Sequence, residues 1–195
     1  MCESRLSIKI VDLRSDDEPV IEQAATLLLE GFAEHHVGAW PNLESALEEV
    51  RGSVGEDRIS RVALDERGMV VGWISGVSLY DRRVWELHPL VVGVRHQGQG
   101  IGRALVTDFE DLVRARGSLT ITLGTDDEDY QTTLAGKNLF PNVFEHVASI
   151  RNLRHHPYEF YQKLGYEIVG VIPDANGLGK PDILMAKSVV RREQE

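Results

Sequence analysis

A mixed α/β (α+β) fold, in which a mostly antiparallel sheet is flanked by helices, is predicted by three features of this 195-residue chain. Segments of alternating apolar residues are interleaved with segments of helical periodicity. Two strand-like runs are separated only by the turn Glu66-Arg67-Gly68, and a glycine loop, RHQGQGIG at 95–102, joins an apolar run to an amphipathic one. Apolar residues make up 42% of the chain, enough for one buried core, so residues 1–195 are expected to form a single domain.

The elements follow in order. SIKIVDL alternates as a strand does, and PVIEQAATLLLEGF has helical spacing behind the acidic start DDEP. After the irregular AEHHVGAWPN, Asn42 is placed to cap the helix LESALEEVRG. RVALDERGMVVGWISGVSLY reads as a hairpin. VWELHPLVVGV is a further strand, interrupted at Pro89, which lacks an N–H and predicts a bulge or a local splaying there. The helix after the glycine loop runs to Arg116, where Gly117 stops it. The strand SLTITLGT ends in the acidic run Asp126 to Asp129, and 126–156 is an insertion-like segment with one helix within LFPNVFEHVASIRN. Pro157 suits the first position of a helix YEFYQKLG, in which Phe160 and Leu164 are expected to face the core and Tyr161 another side. The strand YEIVGVI, the turn PDANGLGKPD and the strand ILMAKSVV complete the chain, the last offering an edge for pairing.

Composition excludes several functions. A formal net charge of -10 opposes nucleic acid and suits a cationic partner. The N-terminal stretch is charged throughout, and no run approaches the ~18 apolar residues of a membrane span, so a soluble cytoplasmic protein is expected. Cys2 is the only cysteine, which leaves no disulfide framework, thiolate cluster or well-placed cysteine nucleophile. The histidine pairs 35/36 and 155/156 lack an acidic partner set and no H-E-x-x-H occurs, so no metal is expected.

Spacing discriminates among phosphate sites for the glycine loop. A dinucleotide fingerprint needs a third glycine where Arg103 stands, and a nucleoside-triphosphate loop needs a lysine and hydroxyl that are missing. The pattern [RQ]-x-x-G-x-[GA] remains, filled by Arg95, Gly98 and Gly100, where bare backbone N–H groups and a helix start can converge on a pyrophosphate. A plain glycine-rich turn is the alternative.

The interrupted strand, this loop and the later FYQKLGY together resemble the acetyl-coenzyme A unit of the GNAT N-acetyltransferase superfamily. WELHPLVV (85–92), LGTDDE (123–128), HPYEFYQKLGY (156–166) and PDANGLGKPDI (173–183) resemble the aminoglycoside 6'-N-acetyltransferases. The resemblance covers about the last two thirds of the chain. It implies a GNAT-like domain using acetyl-CoA as cosubstrate, with the backbone of Leu90, Val91 and Val92 along the pantetheine arm and Gln97, Gly98, Gln99, Gly100, Ile101, Gly102 and Arg103 at the pyrophosphate. A family asparagine seven places before the helix tyrosine falls on Arg154 here; Asn152, two residues earlier, is the candidate. A homodimer is also implied.

Acyl transfer needs a proton acceptor for the amine, a donor for the carbonyl oxygen and an acid for the thiolate. Glu86, the Leu90 N–H and Tyr161 are the candidates, acting by direct transfer. Asp126 and Asp127, leaving a strand end, are candidates for holding substrate ammonium groups, with an N-cap or a solvated loop as the alternative. Trp40 and Tyr80 could present apolar faces to a sugar or cation, with core packing as the alternative. His88, within WELHPL, could line the same site, with a structural strand histidine as the alternative. The expected activity is acetylation of the 6'-amine of aminoglycoside antibiotics, giving resistance. Polyamine or protein N-acetylation, and a noncatalytic acyl-CoA-binding module, are the alternatives.

Overall fold

The computed structural model describes residues 7–33 and 39–190, so that Cys2, His35 and His36 lie outside the described residues. The chain divides into two units, one running to Leu119 and resuming at Val189, the other spanning Thr120–Ser188. The mixed α/β class with antiparallel pairing holds in both.

The first unit contains β1 (Lys9–Asp12), α1 (Glu18–Phe32), α2 (Leu43–Gly52), β2 (Arg58–Leu64), β3 (Val70–Leu79), β4 (Val84–Val92) and α3 (Ile101–Ala115). Its strands pair in the order β1-β2-β3-β4. On α1, Ile21, Ala24, Ala25 and Leu28 recur at one helical face and are buried, packing with Ala46 and Val50 of α2 and with Trp73 and Val91 of the sheet. Asn42 caps α2 as expected: its Oδ1 accepts from the Ser45 N–H at 2.9 Å, and the Ser45 hydroxyl reaches back to the Asn42 backbone. α3 buries Leu105, Val106, Phe109 and Val113 and packs on β2, β3 and β4. Arg61 of β2 donates to both carboxylate oxygens of Asp108 on α3, at 2.7 and 3.2 Å. Gly117, at φ 75°, follows the helix end, as its position in the sequence predicts.

The break expected at Pro89 is a bulge. Gly76 pairs with Leu87 but Ile74 pairs with Leu90, so β4 carries one residue more than β3 between these positions. The buried Ser75 donates its hydroxyl to the His88 carbonyl at 2.5 Å, supplying a bond at the point where Pro89 has no donor.

The second unit contains β5 (Thr120–Asp126), α4 (Val143–Ala148), α5 (Tyr158–Gln162), β6 (Glu167–Ile172) and β7 (Asp182–Ser188). Its strand order is β5-β7-β6. Three expectations are corrected here. The strand at 183–190 is no edge: β7 is paired on both sides, from Thr120↔Ser188 to Asp126↔Asp182 with β5 and from Glu167↔Ala186 to Ile172↔Asp182 with β6. Both short helices are narrower than their periodicity suggests, and after α5 the chain turns at Gly165, at φ 88°. On α5 the buried pair is Tyr158 and Tyr161, one turn apart, whereas Phe160 and Leu164 are only half-buried. Among the described residues, no helix is long and apolar enough to cross a membrane.

Gly76 marks the tightest packing of the hairpin. A Cβ there would lie 2.5 Å from the Phe109 ring and 2.6 Å from the Glu86 carbonyl oxygen, and the backbone atom has no flexible side chain with which to yield. Gly76→Ala is expected to destabilise the protein by ~1–3 kcal/mol, read as a lower urea midpoint at unchanged slope. A midpoint equal to wild type would show that the hairpin and α3 are not in this close contact.

Candidate active site

The bulge arranges one end of β4. The Gly93 N–H donates to the Val71 carbonyl at 3.0 Å, so by antiparallel alternation Val91 also faces β3 with its backbone, while the N–H groups of Leu90 and Val92 are turned away from β3. The N–H proposed to polarise the substrate carbonyl is therefore not consumed by that ladder. Glu86 pairs with Val77 and projects on the same face as Trp73, the face covered by α1 and α2. On this face Trp40 lies with its ring 5.9 Å from His88 and edge-on to Phe32 at 5.0 Å. The structure thus brings Trp40 to His88, a pairing that sequence separation concealed. Tyr80 is not with them. It stands 76% exposed in the turn after β3, five residues beyond Ser75, or roughly 16 Å along the strand.

The glycine loop has the geometry that its pattern predicts. A short 3₁₀ turn, Val94–His96, follows β4, and Gly98 and Gly100 take φ 74° and 88°, values that disfavour any residue with a Cβ. No protein atom lies within 4 Å of where their Cβ atoms would be, so the glycine faces are open. Gln97 donates its side-chain amide to the Val92 carbonyl at 3.2 Å and Gln99 to the Arg95 carbonyl at 3.2 Å, which brace the loop by side chain. The first bond of α3 is Ala104 N–H to the Gly100 carbonyl at 3.0 Å, and no side chain caps the helix. The preceding N–H groups, on Ile101, Gly102 and Arg103, are donors with a helix dipole behind them. Open glycines and uncapped donors fit a pyrophosphate such as that of coenzyme A.

In the second unit, Asp126 is the last residue of β5, and Asn176 donates to its Oδ1. Asp127 is a correction. It is 0% exposed, and its two oxygens accept the N–H groups of Gln131 and Thr132 at 2.7 and 2.8 Å, which commits the carboxylate to building the loop. Asn152 is committed likewise: its side chain accepts from the His156 N–H at 2.8 Å and donates to the His156 carbonyl at 2.9 Å. Asp127 and Asn152 thus both bind nearby backbone groups.

Tyr161 is 8% exposed, its ring edge-on to Phe160 at 5.0 Å and to Tyr166 at 5.6 Å. Burial pushes its phenol well above the ordinary tyrosine pKa, because the phenolate would lose its hydration. The group is therefore a neutral O–H donor across the physiological range.

An antiparallel hairpin with a bulge thus stands ahead of a bare glycine loop and an uncapped helix. Residues 23–133 match the acetyltransferase (GNAT) family, and the chain belongs to that family. Among solved structures it is similar over nearly its whole length to an aminoglycoside 6'-N-acetyltransferase complexed with coenzyme A, with 42% identity, a TM-score of 0.86, and coverage of 95% of this chain and 99% of that one. It is similar in the same way to the aminoglycoside 6'-N-acetyltransferase from Enterococcus faecium, at 43% identity and a TM-score of 0.84 with the same coverage. The type Ii aminoglycoside 6'-acetyltransferase follows at 37% identity and 0.71, covering 94% of this chain and 99% of that one. No curated protein matches by sequence.

Two outcomes follow from the site. Gly100→Val forces a β-branched residue to a positive φ and places a side chain over the open loop, so a folded variant is expected to lose acetyl-CoA affinity by at least ~10-fold in calorimetry. Unchanged affinity would remove the loop as the pyrophosphate site. The second concerns pH. Because the Tyr161 phenol holds its proton more tightly when folded, its contribution to stability is complete below the unfolded value of ~10 and is lost as pH rises through the folded value. Tyr161→Phe is expected to lose less stability than wild type between pH ~9.5 and ~11.5 in urea titrations. Parallel losses would mean that the phenol is not buried.

Proposed function

We propose that this enzyme transfers the acetyl group of acetyl-CoA to the 6'-amino group of aminoglycosides, and that this action in the cytoplasm gives resistance to them. The observation that carries the reading is the full-length likeness, at 42% identity, to an aminoglycoside 6'-N-acetyltransferase. The bare loop at 97–103 supports the cosubstrate, and the net charge of -10 supports a polycationic acceptor. When bound, acetyl-CoA supplies the activated acyl carbon and a thiolate leaving group. Glu86 takes the proton of the attacking amine, directly or through water, and the Leu90 N–H, turned away from β3, donates to the carbonyl oxygen. Tyr161 is better suited to donating a hydrogen bond than to releasing its proton outright. Its raised pKa makes full proton transfer to the departing thiolate uphill, while a buried O–H can still stabilise the developing charge. Asp126, with one oxygen held by Asn176, takes a substrate ammonium through the other. Trp40 and His88 line the acceptor side of β4. The homodimer is part of the same reading, with β6, which pairs only with β7 among the described residues, and not β7, as the strand offering an edge.

Thiol release from acetyl-CoA, with mass spectrometry of the products, tests the reading across kanamycin, spermidine and a peptide amine. A 6'-acetylated kanamycin is expected, at a rate that falls with added salt as screening weakens capture. Transfer to spermidine or peptide alone, or no transfer at all, would overturn the assignment, and a single-chain mass in light scattering would remove the homodimer. With the same assay, Tyr161→Phe is expected to lower kcat by ~10- to 10²-fold while acetyl-CoA affinity stays within about twofold. Wild-type turnover in this variant would exclude the phenol from the reaction.

A further inference from the structure

We propose that His156, a buried residue with no place in the chemistry above, is a positioning residue that couples the acceptor carboxylate to the helix carrying Tyr161. This inference rests on the aminoglycoside acetyltransferase reading and adds a residue to it. His156 is 1% exposed. Its Nδ1 accepts the N–H of Tyr158, in the first turn of α5, at 3.2 Å, and its Nε2 lies 3.1 Å from the backbone carbonyl oxygen of Asp126. A carbonyl oxygen can only accept and a backbone N–H can only donate, so the two contacts require one ring form, neutral with its proton on Nε2. A single imidazole therefore joins the last residue of β5 to the start of α5, with Asp126 at one end and Tyr161 one turn beyond the other.

The ring is itself held. Asn152 brackets the His156 backbone with its two side-chain bonds. Asn152 in turn forms an isolated bridge with Thr132, whose N–H is bound by Asp127, the residue following Asp126. The path from β5 through Asp127, Thr132, Asn152 and His156 returns to the Asp126 carbonyl as a closed circuit. Such a circuit fixes where the Asp126 side chain leaves the sheet and how α5 begins, and a displacement of ~1 Å at either place is costly to catalysis.

The two arms are separable by substitution. His156→Asn keeps an acceptor near Nδ1 for the Tyr158 N–H and removes the donor to Asp126; His156→Gln keeps a donor reaching Asp126 and moves the acceptor. Acceptor capture acts in the ground state and the Tyr161 hydrogen bond in the transition state. His156→Asn is expected to raise the kanamycin KM by ~10-fold with kcat within about threefold, and His156→Gln to lower kcat by ~10-fold with that KM within about threefold. Both should leave the acetyl-CoA KM within about twofold. If both variants instead lose activity in proportion to their unfolded fraction with unaltered KM, or match wild type, the inference is overturned while the substrate reading stands. A wild type that releases no thiol with kanamycin overturns the substrate reading and this inference with it. Independently of any variant folding, the assigned His156 ring in wild-type protein with ¹⁵N-labelled histidine is expected to carry its proton on Nε2 at neutral pH. A proton on Nδ1 would overturn the coupling.

Discussion

The one extra residue in β4 is the constraint on which the first unit depends. Strand side chains alternate, so a single inserted residue exchanges the faces of everything beyond it. Before the bulge, Trp85 and Leu87 project on the side of Gly76 and Phe109; after it, Val91 projects on the opposite side, into the core with Trp73, Leu28 and Ala25. With regular alternation, Leu90 would share the face of Glu86 and spend its N–H on β3. The bulge turns that N–H away and leaves Glu86 and His88 on the side covered by α1 and α2. Proline removes the ladder donor, and the Ser75 hydroxyl offsets the loss at the neighbouring carbonyl. The same feature that breaks the hairpin thus gives the strand its chemistry.

The start of α3 shows a related trade. A serine or aspartate could cap a helix that starts here, and glycine in its place forgoes only about a few tenths of a kcal/mol. Glycine at φ 88° leaves the first N–H groups of the helix facing outward with open space before them. Stability lost there is offset elsewhere on the same helix, where Arg61 grips Asp108 with two bonds and Phe109 and Leu105 pack against the sheet. A rigidly seated helix can present uncapped donors without moving when they are engaged.

In the second unit, polar residues that resemble ligand contacts form the frame instead. A fully buried carboxylate is tolerable only when its oxygens are hydrogen-bonded, and each Asp127 oxygen accepts one of two adjacent N–H groups. The loop wrapped around it aligns 131–133 with 151–154, where Thr133, Leu153 and Arg154 add backbone bonds. Asp126 therefore leaves β5 from a fixed point, and the division of labour between two neighbouring aspartates follows from which of them faces inward.

By itself the sequence determined whatever depends on local pattern. The strand and helix order, the Asn42 cap, the Gly117 stop, the break at Pro89 and the glycine loop each follow from periodicity or from a residue whose backbone chemistry permits little else. These are near-neighbour effects, and near neighbours are what a sequence displays. Helix α5 is short enough that one turn of periodicity cannot fix its inner face, and tertiary packing buried Tyr161 where Phe160 was expected. The C-terminal strand reads as an edge because chain order says nothing of sheet order; the structure places it between β5 and β6. Asp126 and Asp127 are chemically identical in sequence, and only the fold buries one and exposes part of the other. The contacts of His156 with Asp126 and of Trp40 with His88 span 30 and 48 residues, so only the folded chain brings them within reach.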